Sequence, residues 1–120
     1  MKLPTEIFGE VVVVHTPEEL GTDTSLQLEK FLTSQERSNV IVDLDGSETI
    51  DSGGLEALLN AQEALRAMQG DLKISTSNNA NRKILEITRL DEQLEVFDTV
   101  IDAVKSFAQF SDLRPTTFDS

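Results

Sequence analysis

A serine set between an aspartate and two glycines, Asp51-Ser52-Gly53-Gly54, is the stretch whose residue types most invite chemistry. A serine hydroxyl can cap a helix, accept a phosphoryl group or act as a nucleophile. Asp51 beside it can cap a turn, orient an incoming kinase or help to remove the hydroxyl proton. Neither glycine carries a β-carbon, so a phosphate or a partner's surface can come close to the main chain here. Spacing alone favours the plainest of these roles, with Ser52 as the helix cap. The lone histidine, His15, ends a strand pattern and reads as structural. A small hydrolase using Ser52 and His15 is a remote alternative, because no G-x-S-x-G elbow surrounds Ser52. Asp43, Asp45, Glu48 and Asp51 lack the spacing and terminal Glu of a calcium loop, so they read as a solvated acidic stretch and no metal is expected. Neither a G-x-x-x-x-G-K-[ST] loop nor a G-x-G-x-x-G fingerprint is present, and no cofactor is expected.

The segments around the serine show how it is positioned. Val40, Ile41 and Val42 form a β-branched run of the kind found in the middle of a largely parallel sheet, covered on both faces. Asp43 to Thr49 is polar enough to leave that sheet. Leu55, Leu58, Leu59, Leu65 and Met68 then recur on one side of a helix that ends near Gly70, a candidate left-handed cap. Ser52 therefore falls at a helix N-terminus, where unpaired N–H groups and the helix dipole favour a hydroxyl or an anion.

Upstream, Thr5 to Phe8 and Val11 to Val14 predict two strands paired antiparallel about Gly9-Glu10 and ended by Thr16-Pro17. Glu18 to Thr24 reads as an acidic loop in which Asp23 or Thr24 caps a helix with Leu26, Leu28, Phe31 and Leu32 on its apolar side. Downstream, Leu72, Ile74 and Thr76 alternate with polar residues as in a strand. Ser77 to Asn79 is a capping turn for a helix through Ile84, Leu85 and Ile87. After a connector from Leu90 to Glu95, Val96-Phe97 reads as a short last strand. Val100, Ile101, Val104, Phe107 and Ala108 stripe a final helix, and 111–120 reads as a tail after a single domain over 1–110. Repeated strand-helix-strand passages imply an α/β fold with the turn at Ser52 on the carboxyl rim of the sheet.

Composition narrows the functions. Twenty-two acidic residues against ten basic ones give a formal charge of -12, which opposes nucleic acid and anionic lipid. The aromatic residues are six Phe with no Trp or Tyr, a set suited to core filling and not to stacking bases. With no Cys and no apolar run of membrane length, a soluble cytoplasmic protein with no membrane or small-molecule partner is expected.

The order strand, Asp43-Leu44, short acidic stretch, Ile50-Asp51-Ser52-Gly53-Gly54-Leu55, apolar helix resembles the STAS domain family, the anti-sigma factor antagonists of bacteria. The likeness extends from Val11 to Phe107. Glu19 and Leu20 match the family's Gly-Glu-Leu-Asp loop, with Glu18 and Gly21 at its first and last positions; Gly53 stands where many members carry a second serine, and Arg89 where they carry a glycine. The resemblance implies a mixed sheet of four to five strands with about four helices. It further implies a non-enzymatic binding module that sequesters an anti-sigma factor serine kinase and so frees a sigma factor. Ser52 is then the kinase's phosphorylation site, and a metal-dependent serine phosphatase reverses the modification. Leu20, Gly21, Thr22, Asp23 and Thr24, with Asp51, Ser52, Gly53, Gly54 and Leu55, are the expected partner contacts. A STAS subunit of a lipid-transport ABC complex or of a stress-signalling assembly is the alternative within the same fold.

Overall fold

Consecutive β-branched residues stiffen the backbone into extended form and demand cover on both faces. In the computed structural model, which describes residues 1–112 with side chains through Phe107, two such runs lie side by side in the sheet interior. Val11–His15 (β2) pairs in parallel with Asn39–Asp43 (β4), and β4 pairs in parallel with Asp71–Ser75 (β6). Thr5–Phe8 (β1) joins β2 antiparallel at one edge, across a turn in which Gly9 has a φ of 61°. Val96–Phe97 (β7) joins β6 in parallel at the other edge. The five-stranded order is β1-β2-β4-β6-β7, a mixed sheet as expected.

Side-chain alternation divides the core in two. Val12, Val14, Val40, Val42, Leu72 and Ile74 meet Leu28 and Leu32 of Ser25–Thr33 (α1), Leu55, Leu58 and Leu65 of Ser52–Ala67 (α2), and Leu85 of Asn79–Ile87 (α3). Each leucine buried this way contributes about 1.5–3 kcal/mol. On the opposite face Val11, Val13 and Ile41 are covered by Ala103, Val104 and Phe107 of Val100–Asp112 (α4). That cover changes the meaning of the polar position in β6. Lys73 alternates with Leu72 and Ile74 but is buried under α4, with its ammonium 2.8 Å from Ser106 Oγ and 4.2 Å from the Phe107 ring centre.

Several expectations are corrected by the geometry. Glu19–Leu20 (β3) is no loop: it pairs in parallel with Thr49–Ile50 (β5) in a separate two-stranded ladder above the sheet. A one-turn 3-10 helix over Thr22–Thr24 leads into α1, and Thr24 occupies the cap position without a side-chain cap bond. Leu26 is 79% exposed, since two residues before Leu28 a helix points the opposite way. Gln69, and not Gly70, takes the left-handed turn after α2, with φ at 67°. Gly70 instead lies so close to the next segment that a β-carbon would stand 1.9 Å from the Ser38 carbonyl oxygen. α4 continues through Asp112, two residues into the stretch 111–120 read as a tail; the Ala108 side chain and residues 113–120 lie outside what is described.

The turn after α2 therefore makes opposite demands at adjacent positions. Gly70→Ala is expected to destabilise by about 3 kcal/mol or more through the backbone clash. Gln69→Gly is expected to stabilise by up to about 1 kcal/mol, by relieving left-handed strain. Urea midpoints of the two variants against the parent check both signs.

Candidate functional site

The site forms where the β3–β5 ladder meets the start of α2. Asp51 N–H donates to the Leu20 carbonyl at 2.9 Å, which hangs the start of the helix from β3. The Asp51 backbone is extended, so its side chain folds forward over the first turn of α2. Oδ1 accepts from Gly53 N–H at 2.8 Å and from Gly54 N–H at 3.1 Å. The Asp51 carbonyl accepts from Leu55 N–H at 3.1 Å. The free amides of the first turn are thus largely satisfied by one residue, and the cap is Asp51. Ser52, read from its spacing as the cap, is the first helical residue. Asp is as good a cap as Ser, and only the residue one position earlier has the extended backbone that capping needs.

The second carboxylate oxygen ties in the neighbouring loop. Thr22 N–H donates to Asp51 Oδ2 at 3.1 Å, and the Thr22 hydroxyl lies 3.4 Å from both oxygens. Two glycines make this approach possible. A β-carbon on Gly53 would stand 2.6 Å from Thr22 Cα, and one on Gly21 would stand 3.0 Å from Asp51 Oδ2. The N–H donors of Thr22, then Gly54 and Gly53, outweigh desolvation and hold the Asp51 carboxyl below the usual aspartate pKa.

Ser52 is exposed, and its hydroxyl has no hydrogen-bond partner among the described residues. Thr22, Asp23 and Asp51 are exposed beside it, with Gly21, Thr24 and Gly53 half-buried. Glu19 to Thr24 and Thr49 to Asp51 enclose an open cleft of about 330 Å³ next to the serine. Three expected contacts belong elsewhere. Leu20 and Leu55 are core residues, and Gly54 is buried where a β-carbon would meet the Leu20 carbonyl oxygen at 2.7 Å. They hold the rim up from below, because apolar side chains flanking the cap are drawn into the core beneath it. The Thr22–Asp51 link was not anticipated, although glycines at 21 and 53 in otherwise side-chain-bearing loops were a signal of close approach.

The other acidic residues of the rim have separate tasks. Asp45 accepts from Ser77 N–H, the Ser77 hydroxyl and the Thr76 hydroxyl. Asp43 accepts from Asp45 N–H and from His15 Nδ1 at 2.8 Å, while His15 Nε2 meets Glu6 Oε1 at 2.7 Å. Both ring nitrogens are occupied by carboxylates, so neither is presented to Ser52. No group of three or more His, Cys, Asp or Glu side chains able to hold a metal occurs among the described residues. Nor, among them, is any helix long and apolar enough to cross a membrane.

A mixed sheet with three helices on one face, one on the other, and an exposed serine next to an aspartate cap at its carboxyl rim defines a class of small α/β domain. The chain belongs to the STAS domain family, whose profile matches residues 2–103. It is 23% identical to a candidate anti-sigma factor antagonist of Thermotoga neapolitana, over 85% of this chain and 94% of that one. An anti-sigma factor antagonist from Mycobacterium paratuberculosis has a similar crystal structure, with a TM-score of 0.76, 24% identity, and coverage of 88% of this chain and 92% of that one. The Bacillus cell fate determinant SpoIIAA in its phosphorylated form superposes with a TM-score of 0.65 at 18% identity, over 88% of this chain and 99% of that one.

Two substitutions test the latch. Gly53→Ala is expected to destabilise by about 1–3 kcal/mol, because the new methyl must push back the Thr22 main chain. Asp51→Ala is expected to lower the thermal midpoint at neutral pH. Since folding depresses the Asp51 pKa, its contribution is complete above the unfolded value of about 3.9 and fades as pH falls through the folded one. The gap between parent and variant should therefore narrow in acid, as read by melting curves across pH.

Proposed function

We propose that this chain is an anti-sigma factor antagonist, a protein-binding module switched by phosphorylation of Ser52. The observation that supports this best is the hydroxyl of Ser52, exposed and free of partners on a first turn whose neighbours are all engaged. A kinase reaches it without unfolding anything. In this reading the unphosphorylated form docks on an anti-sigma factor serine kinase in the cytoplasm and so releases a sigma factor. Phosphorylation ends the complex, and a metal-dependent serine phosphatase resets it. The protein itself catalyses nothing.

The geometry supports an electrostatic and steric switch over a refolding one. A phosphoserine adds a charge of about −1.5 to −2 at this helix end. The amides of Gly53 and Gly54, which would otherwise cradle it, already hold the Asp51 carboxylate. The phosphate must project outward, so its charge and bulk fall on whatever is docked there. Gly21, Thr22, Asp23 and Thr24, with Asp51, Ser52 and Gly53, form the docking rim in this reading. The resemblance in fold to SpoIIAA, which is known in a phosphorylated form, agrees with this assignment.

Incubation with ATP and the cognate anti-sigma kinase is expected to add one phosphate by intact mass, and none to Ser52→Ala. Ser52→Glu is expected to weaken kinase binding by at least about tenfold with an unchanged thermal midpoint. Phosphate on Ser52→Ala would overturn the assignment.

A further inference from the structure

The edge strand β1 is poorly secured by packing. Its four residues are all exposed, with Ile7 at 57% and Phe8 at 37%. Among the described residues no strand lies on its outer side. At the turn end Arg37 Nε donates to the Gly9 carbonyl at 2.7 Å. Besides the ladder from Thr5↔Val14 to Phe8↔Val11, the attachments at the free end are His15 N–H to the Pro4 carbonyl at 3.0 Å, partial packing of Leu3, and the Glu6–His15 contact.

We propose that His15 is a pH-operated clasp: its ring spans β2 to join Glu6 on the edge strand to Asp43 on the central strand, and it loosens β1 when it loses its proton. The reason lies in donor count. A carboxylate only accepts, so two carboxylates on one imidazole require a proton on each ring nitrogen. A neutral ring carries one proton, and one carboxylate must then face a lone pair. Asp43 is the side chain that stays, being 15% exposed with its other oxygen held by Asp45 N–H; Glu6 is 56% exposed and free to turn to water. The strand that carries Glu6 is the one loosened.

The surroundings offer no competing charge. β1 contributes Glu6 and β4 contributes Asp43, and among the described residues neither pairs with a Lys or Arg. Asp45 is turned to Thr76 and Ser77. Lys73 of β6 is held by Glu95 and Ser106, and Asp102 and Lys105 of α4 line a cleft with Arg82 beside β7. Burial alone would lower the His15 pKa, but the Glu6 and Asp43 carboxylates outweigh it and the net shift is upward from 6.5. The clasp is therefore complete below that ordinary value and is lost as pH rises through the folded one, a window that opens toward neutrality. Loosening makes opening of β1, which bares the outer edge of β2, more frequent.

Because the chain has one histidine, its ring signals titrate without ambiguity. The test follows those signals by NMR on the intact protein from about pH 5.5 to 8.5, together with exchange of the His15 and β1 amides corrected for intrinsic pH dependence. Protection of those amides is expected to fall by about threefold with the midpoint of the ring, a modest step because Glu6 is well solvated. In Glu6→Gln the amide can donate to a neutral ring or accept from a charged one, so the step should vanish. Flat protection in the parent, or a step that survives in Glu6→Gln, would overturn the proposal.

Discussion

One carboxylate organises the rim of this domain. Asp51 closes the first turn of α2 with one oxygen and holds the neighbouring loop with the other, while its own amide hangs from β3. Two segments far apart in sequence, 20–22 and 51–54, meet at that residue. Replace that side chain by an apolar one, and a turn of helix and a loop each lose a partner, while the main-chain bond to β3 remains. The serine that follows owes its accessibility to this, because the capping that Ser52 would otherwise perform is already done.

The arrangement depends on what lies beneath. Valines of β2 and β4 fill both faces of the sheet, and leucines of α1 and α2 seal one of them. This fixes the carboxyl end of β4 and the entry to α2 to within side-chain packing tolerances. Leu20, Gly54 and Leu55 connect rim and core: buried themselves, they prevent the cap from sinking or tilting. The hydroxyl is thus presented on a supported platform, which is what docking by shape and charge requires.

The pattern of apolar residues made most of this legible. The β1–β2 hairpin, the buried run of β4, the helices and even the two-residue β7 follow from periodicity, because burial imposes it. Less legible were features set by tertiary proximity. The β3–β5 ladder is two residues long on each side, below what alternation can signal. Lys73 alternates as a surface residue would, yet α4 arrives from the end of the chain to cover it. Leu26 was grouped with Leu28 although the helical repeat sets the two on opposite sides. At the site, the hydroxyl's location followed from sequence. The cap did not, since Asp and Ser are equivalent by propensity and only backbone torsion at Asp51 decides between them.

The short β3–β5 pair shares no strand with the main sheet. A fringe carried on its own small ladder can change its outward-facing letters without disturbing the valine and leucine interior. The slab that lends the fringe its rigidity is thus independent of the polar side chains the fringe displays.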